Sequence, residues 1–182
     1  MKKFKFVPII LLMFVGSSLF AQTKQIEAVQ KESSITYQLT HPLHEIESTS
    51  KEARCSITVD LGNKSIKQVS VTVDVTTFNS GNSNRDSHAM EVIDALSYPE
   101  ASFTSTNISQ NGDSLKISGK LTFHGITKDI WIRATQKWKN NKLIVNGKFE
   151  ISLTAFKVER PSLLMIPVKD ELKFSLIQTF NF

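Results

Sequence analysis

"QVSVTVDVTTF", Gln68 to Phe78, alternates almost without a break. Val69, Val71, Val73 and Val75 fall on one face, and Ser70, Thr72, Asp74 and Thr76 on the other. Period two carried by β-branched side chains predicts a half-buried strand with one face on a core. A helix would scatter the same valines around its axis. Outward from this stretch the same period returns on both sides, and the chain reads as all-β.

Upstream, "ITYQL" alternates Ile35, Tyr37 and Leu39, and "ARCSITVD" runs into a turn at Leu61-Gly62-Asn63-Lys64. Downstream, "ASFTSTNIS" meets Asn111-Gly112, a strong hairpin signal. "SLKISGKLTF" returns with Leu115, Ile117, Leu121 and Phe123 aligned, and His124-Gly125-Ile126-Thr127 turns into "DIWIRATQKW". Asn140-Asn141 then leads into "KLIVNGKFEISL", where Leu143, Val145, Phe149, Ile151 and Leu153 share a face. The last run, Glu171 to Phe182, aligns Leu172, Phe174, Leu176, Phe180 and Phe182. About eight strands on short turns predict an antiparallel barrel or sandwich. Gly119 and Gly147, each inside an apolar face, are expected to mark bends or bulges.

One segment breaks the pattern. "FNSGNSNRDSHAMEVIDALSYP", Phe78 to Pro99, predicts a single short helix near Asp86 to Leu96 and gathers Arg85, Asp86 and His88. Ser87 and His88 are consecutive, so on a helix they do not face each other as nucleophile and base. No Gly-x-Ser-x-Gly elbow occurs elsewhere. Asp86 is expected at the helix start, accepting free backbone N–H groups, and Arg85 is expected to reach an acid or loop carbonyls. On this reading the cluster clamps a helix across one end of the sheet.

The four histidines are His41, His44, His88 and His124. "HPLH" has a ligand-like spacing, but residues three apart on an extended strand point to opposite faces unless Pro42 bends the chain. Zinc asks for three or four convergent ligands, and only pairs are visible, so no metal is expected. Phosphate cradles and dinucleotide fingerprints are absent, so no cofactor is expected either. Cys55 is the single cysteine, alternating with Ala53, Ile57 and Val59, which suits a small buried hydrophobe.

The N-terminus reads as an export signal. Lys2, Lys3 and Lys5 precede an apolar run that ends in "GSSLFAQ". The run is short for a membrane span, which needs about 20 apolar residues. Residues 1–21 are therefore expected to be a signal peptide cut near Ala21-Gln22, leaving a periplasmic or secreted chain without a transmembrane anchor. Removing the three lysines lowers the formal charge from +5 to +2. The remaining basic residues form no stripe, so nucleic acid is not an expected partner. Residues 22–33 are polar and expected to be a flexible lead-in, followed by one domain over 34–182.

Two motifs carry a family resemblance. "FNSGNSNRDSHAMEVIDALSYPEASFTST" is similar to a turn, Arg-Asp-x-His, helix, Tyr-Pro and Phe-x-Ser strand, and "ISGKLTFHGITKDI" to a Gly-x-Leu-Thr-x-His-Gly-x-Thr hairpin. Together, with His44 after the first strand, they resemble the YceI-like family of secreted, lipocalin-like, polyisoprenoid-binding proteins over nearly the whole mature chain. The chain departs from that pattern at "LTAFKVERPSL" and at Tyr37, where the family commonly has tryptophan. The resemblance implies an antiparallel barrel with a helix over it. It also implies a non-catalytic protein that sequesters or carries an isoprenoid-type or other long-chain amphiphilic lipid in its lumen.

The lumen candidates are Val71, Val73, Phe103, Ile117, Leu121, Ile132, Val145, Phe149, Phe174 and Leu176. Arg85, Asp86, His88 and His124 are expected at the rim, as a head-group site or a structural clamp. The same apolar residues would equally fill a solid core. The alternative is therefore a structural or stress-response interaction domain with a filled barrel, and a third reading is a metal-dependent enzyme.

Overall fold

A computed structural model describes residues 23–182. The expected signal peptide and its cut lie outside the described residues. The strands are β1 (Thr23–Glu27), β2 (Ser34–His41), β3 (His44–Ser50), β4 (Arg54–Asp60), β5 (Ser65–Asp74) and β6 (Glu100–Asn111). They continue with β7 (Ser114–Phe123), β8 (Ile126–Lys139), β9 (Lys142–Ser152), β10 (Ser162–Leu163), β11 (Ile166–Pro167) and β12 (Glu171–Asn181). Helix α1 (Ser83–Val92) lies between β5 and β6. Ten strands form one curled antiparallel sheet in the order β1-β4-β5-β6-β7-β8-β9-β12-β2-β3, and β10 and β11 make a separate small hairpin. The fold is thus the expected all-β, lipocalin-like barrel with one helix.

The large sheet has ten strands where about eight were expected, and both additions have a physical reason. Thr23–Glu27 is no loose lead-in: it pairs along β4 from Thr23–Asp60 to Glu27–Ser56. Only Ile26 of that strand is buried, so no apolar alternation announces it, and backbone pairing to the open edge of β4 fixes it instead. In β3 the most deeply buried residues are serines, Ser48 and Ser50, at 1% and 0% exposure. The Ser50 hydroxyl is satisfied by Thr77 Oγ1 at 2.6 Å, so a buried face reads as polar.

The end strands β1 and β3 do not pair with each other. Short stitches link the two ends of the sheet. Val29 N donates to Thr179 O at 2.7 Å beside an Ala28–Phe180 bridge, and Thr49 and Asn79 exchange two backbone bonds of 3.1 Å.

Helix α1 starts three residues earlier than expected. Its N-cap is Asn82, whose Oδ1 accepts from Arg85 N at 3.1 Å, in place of Asp86. It ends at Val92, and Asp94, with φ +45°, turns the chain away.

The two inner-face glycines behave differently from each other. Gly119 sits at the expected irregularity, where the β6–β7 register shifts between Ser105 and Asn107. A Cβ there would lie 2.3 Å from Thr104 O and 2.5 Å from the Phe103 ring. Gly147 is no bulge, since its pairing with Ala134 and Leu176 is regular. Its missing side chain instead gives Leu176 room, with Cδ1 3.0 Å from where a Cβ would stand. Gly119→Ala should therefore cost about 1–3 kcal/mol through overpacking, read as a lower urea midpoint with an unchanged β-type circular dichroism spectrum. A variant as stable as wild type would contradict the close seating of Phe103.

Candidate functional site

The inner faces of β5, β6, β7, β8, β9, β12 and β2 enclose a hollow of ≈ 190 Å³ beneath α1. One water needs about 10–15 Å³ on the same measure, so this is no packing defect. Its wall is apolar apart from Tyr37, Arg85, His88 and Ser102. A cavity with so few hydrogen-bond partners suits hydrocarbon better than water.

Val71, Val73 and Ala101 face the hollow from β5 and β6. Elsewhere on the wall, Tyr37, Phe174 and Phe149 sit directly opposite one another on β2, β12 and β9. The Phe149 and Phe174 rings stack with centroids 4.7 Å apart. Burial raises the Tyr37 phenol above its usual range, so it stays a neutral hydroxyl. The roof is α1, whose Arg85, Ala89, Val92 and Ile93 recur at helical spacing and look into the space. No residue of α1 is fully buried.

Eight of the ten lumen candidates border the hollow: Val71, Val73, Phe103, Leu121, Ile132, Phe149, Phe174 and Leu176. Ile117 and Val145 do not. They are 4% and 6% exposed in packed core, on the side of Gly119 and Gly147 nearer the Asn111-Gly112 and Asn140-Asn141 turns. Phe103 over Gly119 and Leu176 over Gly147 form the floor that divides packed barrel from hollow. Tyr37, Phe78, Ala101 and Ile130 also line the space without having been singled out. Parity with Ile35 and Ile132 was an available signal for Tyr37 and Ile130.

The Arg-Asp-x-His cluster is a knot around Ser80. Arg85 Nε donates to Ser80 Oγ and Nη2 to Ser80 O, both at 2.9 Å. Asp86 accepts from Ser80 N at 3.1 and 3.2 Å, and Asn79 Oδ1 accepts from Gly81 N at 2.7 Å. Arg85 and His88 border the hollow, whereas Asp86 and His124 do not. His88 is largely exposed, 3.7 Å from Glu91. His124 Nδ1 donates to Phe156 O at 2.9 Å, and its ring lies 4.7 Å from that of Tyr98.

His41 and His44 do come together, because Pro42-Leu43 makes the β2–β3 turn and the two residues pair across it with ring centroids 5.1 Å apart. Both nitrogens of His41 are engaged: Nε2 donates to Ile166 O at 2.9 Å, and Nδ1 accepts from Leu43 N at 3.2 Å. Among the described residues no group of three or more His, Cys, Asp or Glu converges on a possible ion position. No helix of the described residues is long and apolar enough to cross a membrane.

Comparison with known proteins agrees with this architecture. A family model described as the YceI-like domain matches residues 27–180. Protein YceI of Shigella flexneri is 29% identical over 157 residues, covering 81% of this chain and 82% of that protein. Protein YceI of Salmonella newport is 30% identical over 126 residues, covering 68% and 66%. The crystal structure of Burkholderia cenocepacia BcnA superposes with a TM-score of 0.76 at 20% identity, covering 84% of this chain and 98% of that one. A domain from Saccharophagus degradans, described as polyisoprenoid-binding and implicated in plant cell wall breakdown, superposes at 0.61 with 11% identity, covering 87% and 99%. Matched over most of its length in sequence, and with a barrel of the same architecture, the chain is a member of the YceI-like family.

Proposed function

We propose that this protein is an exported, non-catalytic binding protein that carries or sequesters a long-chain isoprenoid-type lipid by burying its hydrocarbon under α1. The observation that carries this reading is the apolar hollow itself, ≈ 190 Å³ within a barrel otherwise packed to its core. Two findings support it: membership of the YceI-like family and the likeness to a domain described as polyisoprenoid-binding. Export, to the periplasm or beyond the cell, rests on the basic, apolar and small-residue order of residues 1–21.

The energetics suit such a ligand. Each buried CH₂ is worth about 0.8 kcal/mol, so a five-carbon unit gains roughly 3–4 kcal/mol gross. Association costs about 4–15 kcal/mol. One unit is therefore too little. The hollow of ≈ 190 Å³, against about 150 Å³ for a cavity that takes one benzene, has to widen by movement of its wall or of α1 for several units to be buried. The ordered wall holds the hydrocarbon and excludes water, and α1 closes over it.

Arg85 is then chiefly a clamp, since both of its side-chain hydrogen bonds go to Ser80. His88 of α1 stands exposed at the edge of the hollow.

Native mass spectrometry of the purified protein should show a hydrocarbon-rich adduct that organic extraction removes, and the extracted protein should take up geranylgeraniol. A protein that is empty as isolated and also refuses geranylgeraniol would favour a filled structural domain. Arg85→Ala should lower stability by about 1.5–3 kcal/mol, the range for hydrogen bonds involving a charged group, with geranylgeraniol affinity close to that of wild type. A large loss of affinity at unchanged melting temperature would instead make Arg85 a direct ligand contact.

A further inference from the structure

The barrel wall is not continuous. Strands β8 and β9 pair from Lys139–Lys142 up to Arg133–Lys148, and there the ladder stops. Beyond that point β8 continues to Ile126 held only by β7, and β9 continues to Ser152 held only by β12. The facing edges of both strands therefore carry backbone N–H and C=O groups without ladder partners. A groove of ≈ 750 Å³ lies on the outer surface over this split. Ile130, Phe149 and Phe174 border both this groove and the hollow within, so three inward-facing side chains are all that separates the two spaces there.

The groove differs in character from the hollow. Its outer-face side chains include Trp131, Arg133, Lys148, Glu150 and Lys173. Trp131 is 47% exposed, with the Arg133 guanidinium 4.7 Å from its ring centre. Asp129 is engaged with Lys120 at 3.1 Å, which leaves the groove with an excess of free cationic groups. A hydrocarbon space on one side of a thin apolar door and a hydrogen-bonding, net cationic surface on the other match the two ends of an amphiphile.

We propose that the split between β8 and β9 is a lateral portal, through which the hydrocarbon chain enters the hollow while the polar end rests in the outer groove. This rests on the lipid-binding reading above. Ile130 and Phe149 sit on strand segments with no ladder pairing between them, so opening the door breaks side-chain packing, the Phe149–Phe174 stack included, and no backbone hydrogen bond between β8 and β9.

The test staples the split. Trp131 and Glu150 would face each other if the β8–β9 register continued, so the Trp131→Cys/Glu150→Cys protein can be bridged with a short bis-maleimide. Cys55 is buried and its thiol pushed up to about 12, so it stays unmodified. Retinol, a fluorescent isoprenoid alcohol, reports uptake by stopped flow. The bridged protein should load at least tenfold more slowly than the unbridged one. Equal rates would overturn the portal and place entry beside α1, leaving the lipid-binding reading intact. An unbridged protein that binds no retinol would remove that reading and the portal with it. Should the double variant not fold, Ile130→Ala serves instead: loading should accelerate severalfold, and an unchanged rate would overturn the portal. Retinoic acid has the same chain with a carboxylate end. Lys173→Glu should weaken it at least fivefold and retinol less than twofold, whereas equal losses would place the polar end elsewhere.

Discussion

The width of the barrel relative to the reach of its inward side chains governs everything else in this structure. Ten strands give a wall wide enough to leave interior space that its side chains do not fill. Around Leu115, Leu143 and Phe180 the space closes to a packed core. Under α1, where Val71, Val73 and Ala101 form one side, it does not close. Proteins rarely leave apolar volume of this size unfilled, because the lining atoms lose their dispersion contacts. A ligand restores those contacts, and a wall this poor in polar groups selects that ligand by its hydrocarbon.

Two glycines set the boundary between the packed and hollow parts. Phe103 and Leu176 lie over Gly119 and Gly147, each occupying the space a Cβ would need. Without those glycines the two side chains would be pushed into the hollow or into the core behind them. The roof is fixed independently. Arg85, Asp86 and Asn82 tie α1 to Ser80 and its own first turn, so the helix is held by its N-terminal knot and only lightly by packing below. A roof anchored through polar contacts at one end can cover an empty or a filled space without changing its own attachment.

Much of the fold was legible because alternation reports which face of a strand is buried. Val69 to Val73, the Asn111-Gly112 hairpin and the Asn140-Asn141 turn stand where the pattern puts them, whereas Val75, read as the same strand, falls in a 3-10 turn capped by Asp74. Alternation says nothing about depth along the barrel. Ile117 and Val145 share a face with Leu121 and Phe149, and only the three-dimensional stagger of the strands decides which of them meet the hollow. β1 and β3 escaped notice for a different reason. One is held almost wholly by its backbone, and the other buries serines, so neither writes itself in apolar residues. The Arg-Asp-x-His segment was readable as a clamp from residue chemistry, but its true focus, Ser80, carries no sequence signal. The split between β8 and β9 is likewise invisible in sequence, because each strand keeps its full pattern on the neighbour it retains.

The central claim is that the interior beneath α1 is an open apolar space and not a core drawn apart. Crystals of the extracted, lipid-free protein under xenon pressure test this directly, since xenon enters empty apolar cavities. The account predicts xenon density among Val71, Val73, Ala101, Leu121 and Phe174. Absence of xenon from the barrel, with those side chains rotated inward to touch one another, would contradict it.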